Sequence, residues 1–86
     1  MKFRISKHAL EEMERRNIPH DLLESVLDHP QQVVFEKGGK KAYQSKVDFG
    51  HGKIYLLLAI VNEDVDPAVV VTVYRTSKVD KYWRTT

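Results

Sequence analysis

Side chains able to handle a phosphate without a metal sit in three places in this 86-residue chain. His8, Arg15 and Arg16 lie in a first helical stretch. Tyr74 and Arg75 close the last β-branched run. Lys78, Lys81, Tyr82, Trp83 and Arg84 form a basic aromatic tail. An imidazole ordinarily titrates near neutral pH and suits general acid or base work. A guanidinium is planar, and its fork of donors fits phosphate oxygens. Rings interleaved with cations suit stacked bases and a held backbone. Each residue also has an ordinary reading. His8 lies off the apolar stripe and could be an exposed histidine with no task. Arg15 and Arg16 could simply pair with Glu11 or Glu12 along the helix. Tyr74 could pack on the sheet, and Tyr82 or Trp83 could cover it as a lid.

Composition narrows the chemistry. There is no cysteine, which excludes disulfides, thiolate metal sites and a cysteine nucleophile. His20, His29 and His51 are scattered, with no HxxxH or HExxH spacing, so no metal site is expected. No GxSxG, P-loop or dinucleotide fingerprint occurs, and no cofactor is expected. Residues 1–36 hold five Lys/Arg and seven Asp/Glu, whereas residues 37–86 hold nine and five. That local surplus of positive charge favours an anionic partner, although solvation of a surface would explain it equally. Met1–Ser6 has no apolar signal core, and Ile54–Val61 is too short to span a bilayer. A cytoplasmic protein without a membrane partner is expected.

The elements that must position these residues follow from pattern. Eighty-six residues make one domain, 1–86, burying about 60–65% of its unfolded surface. Phe3–Ile5 reads as a short strand. Ser6 is a good N-cap for a helix over Lys7–Asn17, with Ala9, Leu10 and Met13 as its apolar stripe. Pro19 opens a second helix, His20–His29, whose apolar face is Leu22, Leu23, Val26 and Leu27. Pro30 stops it. Gln32–Glu36 reads as a strand, Gly38-Gly39 as a hairpin turn, and Lys41–Phe49 as a half-solvated strand. Lys53–Val61 is apolar from Ile54 onward and reads as a central strand covered on both faces. Val69–Arg75 follows. Alternation puts Val69, Val71, Val73 and Arg75 toward the helices and Val70, Thr72 and Tyr74 on the open face. The tail beyond Thr76 reads as a short strand or one helical turn. The expected fold is α+β, ordered β-α-α-β-β-β-β, with two helices on one face of an antiparallel sheet.

Three segments carry a resemblance in this order: Ser6-Lys7-His8-Ala9-Leu10, then Met13-Glu14-Arg15-Arg16-Asn17-Ile18-Pro19, then Val26-Leu27-Asp28-His29-Pro30. Val71-Thr72-Val73-Tyr74 closes the set. The chain resembles the RelE/ParE-like toxin superfamily, in its branch of domain of unknown function 4258. The resemblance implies a compact RelE-like fold and a toxin of a toxin–antitoxin system. It implies a metal-independent endoribonuclease, with an antitoxin protein and RNA, free or on the ribosome, as partners. His8 and Arg16 match the branch's two most typical polar positions, and Asn17 stands where glycine is usual. Arg75, Lys78 and Tyr82 match RelE-like roles by region only. On this reading His8, Arg16, Tyr74 and Arg75 are catalytic, and Lys78, Tyr82, Trp83 and Arg84 bind RNA. Two other functions fit the same resemblance: a non-catalytic protein- or nucleic-acid-binding module, and a ParE-like gyrase inhibitor. Fold alone does not choose among them.

Overall fold

The computed structural model describes residues 3–85; Met1, Lys2 and Thr86, which the readings above include, lie outside them. The order is β1 (Phe3–Ile5), α1 (Lys7–Arg15), α2 (His20–Asp28), β2 (Gln32–Phe35), β3 (Lys41–Asp48), β4 (Ile54–Asn62), β5 (Ala68–Thr76) and α3 (Val79–Tyr82), with one 3₁₀ turn at Lys37–Gly39. The class is α+β, as expected. One five-stranded sheet runs β1-β5-β4-β3-β2. It is mixed rather than antiparallel, because β1 pairs parallel to β5. A three-residue run carries no signal of direction. Direction comes from the exit into α1: Ser6 donates its N–H to Val70 O at 3.0 Å and its hydroxyl to Val71 O at 2.9 Å, continuing forward along β5.

The same Ser6 hydroxyl accepts the Ala9 N–H at 3.0 Å and so caps α1. The far end of α1 is closed by a left-handed residue, Asn17 at φ 53°. Ile18 N–H reaches Met13 O at 2.8 Å and Asn17 N–H reaches Glu14 O, while Ile18 and Met13 are both buried. This is the Schellman arrangement, in which glycine or asparagine is favoured. Asn17→Ala is therefore expected to cost about 1 kcal/mol and lower the melting temperature by about 4–8 °C. Asn17→Gly should melt at or above the wild type; a melt of Asn17→Ala equal to the wild type would refute this reading.

Ala9, Met13 and Ile18 from the α1 side join Leu23, Val26 and Leu27 of α2 over Tyr43, Leu57, Ala59, Val61, Val70 and Val73. Both helices thus cover one face. Alternation along β5 breaks where Ile60 pairs with Thr72 but Val61 pairs with Val70. Val71 is the extra residue of a β-bulge, so Val70 and Val73 both point to the helices. The expectation that Val70 shares a face with Tyr74, and Val69 and Val71 with Arg75, is corrected accordingly.

The half-solvated reading of β3 is also corrected: Ala42, Tyr43, Gln44 and Ser45 are all buried. Ala42 and Gln44 lie on the face away from α1 and α2, where α3 and the residues after it lie across the sheet. Gln44, only 2% exposed, donates from Nε2 to Gln32 Oε1 at 2.7 Å and to Tyr82 O at 3.3 Å. Gln32 in turn takes both the N–H and the carbonyl of Arg84. Leu56 and Leu58 are buried on that face. A buried amide is stable there because its donors and acceptors are used.

At the other end of β3, Tyr43 donates its hydroxyl to Glu63, which also pairs with Lys41 at 2.8 Å. Burial first, then the bond to Glu63, pushes the Tyr43 phenol up from 10.0 to about 12. The unfolded chain then loses this proton before the folded one does, so stability falls as pH rises through about 10 to 12. Wild-type melting temperature should drop between about pH 9 and 11.5. The drop should be smaller in Tyr43→Phe, and equal drops would refute the coupling.

Candidate functional site

His8 and Glu12 on α1 and Arg16, its C-cap, are spaced four residues apart, one row along the helix flank. His8 is exposed, and its side chain makes no hydrogen bond among the described residues. Glu12 holds Arg15 at 2.7 Å and Arg16 at 3.0 Å. These bonds, Arg15 first, keep the Glu12 carboxyl below its usual range and therefore ionised, and they raise Arg15. The ordinary pairing of both arginines within the helix is thus present. The Arg16 side chain nevertheless stays 38% exposed.

Arg16 ends the row beside β5. Its charge acts on the Tyr74 phenol and lowers its pKa. Burial is the largest influence and raises it, followed by Tyr82 and Glu36, so the net direction is up. Tyr74 is a protonated hydroxyl at neutral pH. Beyond Val70 the outer edge of β5 has no strand partner among the described residues, because β1 stops at Ile5 and only the Ser6 hydroxyl continues to Val71 O. The α1 row and Tyr74 therefore flank an open strand edge.

Tyr74 and Arg75 face opposite sides of the sheet. Tyr74 sits opposite Leu58, on the α3 side, edge-on to Tyr82 at 6.3 Å between centroids. Arg75 sits opposite Leu57, on the α1–α2 side. There its guanidinium carbon lies 4.4 Å from the Phe49 ring centroid and 4.9 Å from that of Tyr55. Those rings meet edge to face at 5.4 Å. Phe49 and Tyr55 were not singled out from sequence. The available signal was two aromatics flanking the Gly50-His51-Gly52 turn, which a hairpin brings together.

Of the tail residues, Tyr82 meets this edge through Tyr74, whereas Trp83 and Arg84 lie toward β3 and β2. Lys78 is exposed and ties its N–H to the Thr76 hydroxyl at 3.0 Å. Tyr82 packs on Tyr74, and Lys46 lies 4.2 Å over the Trp83 ring. Arg84 is exposed, with its backbone held by Gln32. Both rings thus serve as cover for the second face of the sheet. Among the described residues no group of three His, Asp or Glu side chains converges as metal ligands would. No helix among them is long and apolar enough to cross a membrane.

The fold and this edge define a small α+β domain in which a helix flank carrying His8, Glu12 and Arg16 lies beside the last strand, whose outer edge is paired only in part among the described residues. The chain matches the family described as Domain of unknown function (DUF4258) over residues 5–75, and it belongs to that family. The match takes in β5 as far as Arg75 and excludes α3 and the tail. No curated protein and no solved structure matches the chain.

Proposed function

We propose that this chain is a RelE-like toxin acting in the cytoplasm as a metal-independent endoribonuclease, held in check by an antitoxin. The observation that carries the reading is the His8–Glu12–Arg16 row ending beside Tyr74 at the open edge of β5. An RNA strand along that edge meets an imidazole, a guanidinium and a phenol in turn. The ribose 2′-oxygen attacks the adjacent phosphorus, and the P–O5′ bond breaks. His8 takes the 2′ proton or supplies one to the leaving 5′ oxygen. Arg16 stabilises the charge that builds on the phosphorane oxygens, and Tyr74 orients the phosphate. The products are a 2′,3′-cyclic phosphate and a 5′-hydroxyl. Incoming phosphate competes with Glu12 for Arg16. Arg75 lies on the α1–α2 side of the sheet, across it from Tyr74.

A second reading is a binding module without catalysis. It is favoured by the Glu12–Arg16 pair and by the opposite orientations of Tyr74 and Arg75. Induced expression of the chain alone in a bacterial host, beside His8→Ala and Arg16→Ala, separates the two. Growth arrest with new 5′-hydroxyl RNA ends, lost in both variants at equal protein level, supports the nuclease. Normal growth and intact RNA with folded wild type would overturn it in favour of the module. Arrest with an SOS response and intact RNA would point to gyrase.

A further inference from the structure

Arg75 differs from the arginines of α1 in how its charge is spent. Arg15 and Arg16 share the Glu12 carboxylate. Arg75 has no ion pair and no side-chain hydrogen bond among the described residues. It is nonetheless held, because three elements converge on it. Phe49 at the end of β3, Tyr55 on β4 and Arg75 on β5 lie on one face at one end of the sheet. Contact with the two rings orients the guanidinium plane at little cost to its donors. A positioned guanidinium with its donors unspent has already lost much of the freedom that binding would otherwise remove.

The surroundings extend the pattern. Lys53 lies two residues before Tyr55, on the same side of the hairpin, and its carbonyl accepts the Phe49 N–H at 3.0 Å. It is exposed and forms no ion pair among the described residues. Asp48 is the nearest acid in sequence. It alternates to the other face and spends one oxygen on the Gly50 N–H at 2.7 Å. Phe49 and Tyr55 are both partly exposed, so ring surface remains beside the cation.

We propose that Arg75, Phe49, Tyr55 and Lys53 form a backbone-binding subsite for single-stranded RNA. Arg75 takes one phosphodiester through its donor fork, Lys53 a neighbouring one, and the rings take a base. An acidic peptide would also engage a guanidinium. The exposed aromatic surface and the two spaced cations favour the nucleic acid, whose phosphates and bases repeat together. The subsite lies on the α1–α2 face, across the sheet from Tyr74, and is assigned to holding RNA that flanks the cleaved bond. The inference concerns binding and does not depend on the cleavage chemistry.

The test uses the full chain and a short, non-cleavable 2′-O-methyl oligonucleotide, with affinity measured over a salt series. Arg75→Gln is expected to weaken binding about tenfold and reduce the salt slope by about one phosphate contact. Lys53→Gln, an exposed change that leaves packing intact, should reduce the slope by a similar amount. Arg75→Lys should keep the slope but lose affinity, because the charge remains and the fork does not. Tyr55→Leu should behave like Arg75→Lys, and near-ultraviolet circular dichroism confirms that each variant is folded. Unchanged affinity and slope in both Arg75→Gln and Lys53→Gln would overturn the proposal. So would a wild type that ignores the oligonucleotide but binds a poly-glutamate peptide through Arg75.

Discussion

Replacing His8 with alanine is expected to slow RNA cleavage by about 10²–10⁴-fold, the span that a positioned acid or base contributes. The fold should not notice. The His8 side chain is exposed, hydrogen-bonds to nothing among the described residues and lies outside the core. Surface changes of this kind stay within about 0.5 kcal/mol. The measurement is the rate of 5′-hydroxyl end formation on a defined RNA, alongside a thermal melt. A matching melt with lost cleavage assigns chemistry to His8. A matching melt with full cleavage removes His8 from the mechanism and leaves Arg16 and Tyr74 to be explained another way.

Leu57→Ala should be the most damaging single core change, costing about 2–5 kcal/mol. Leu57 is fully buried at the middle of the central strand, between Ser45 on β3 and Arg75 on β5. It lies in the cluster that Leu23, Val26 and Val73 share, so its neighbours come from a helix and two strands and cannot all move in. For a domain this small the loss is a large part of the whole stability. Melting should fall by about 10–25 °C. Leu10→Ala, on the exposed side of α1, is the control and should change stability by less than about 0.5 kcal/mol. Equal effects at the two positions would mean that the central strand is placed wrongly.

The parts of this molecule that could be read from sequence are those set by local rules. Ser6 capping α1, the stop after α2 at Pro30, and the central part of β4, Leu56–Ala59, buried on both faces all follow from neighbours a few residues apart, while Ile54 at the strand's start is exposed. What could not be read depends on distant partners or on a single uncounted residue. Val69, Val70, Val71 and Val73 look alike to a period-two reading, so nothing marks Val71 as the one that bulges. Gln44 looks like a solvent-facing residue until Gln32 and the Tyr82 carbonyl meet it. Three residues at Phe3–Ile5 cannot reveal which strand they join. The site divides the same way. Helical spacing made it legible that His8, Arg15 and Arg16 share one short helix and that His8 lies off its apolar stripe. That Tyr74 and Arg75 face apart was also legible, since adjacent strand residues must. The aromatic seat of Arg75 was not, because Phe49, Tyr55 and Arg75 belong to three different elements.

The parallel seam between β1 and β5 has a consequence for a chain still being made. The Ser6–Val71 bond spans 65 residues, and the ladder beside it is as long-range. Closing so long a loop is entropically slow and cannot begin until the second partner exists. A ribosome that has translated only as far as Pro67 carries β4 with the edge that pairs β5, Leu56 to Asn62, bare. An uncovered apolar strand edge invites pairing with other chains. A chain that stops before β5 should therefore be cleared by proteases or lost to aggregates, because the sheet closes only once β5 has been made.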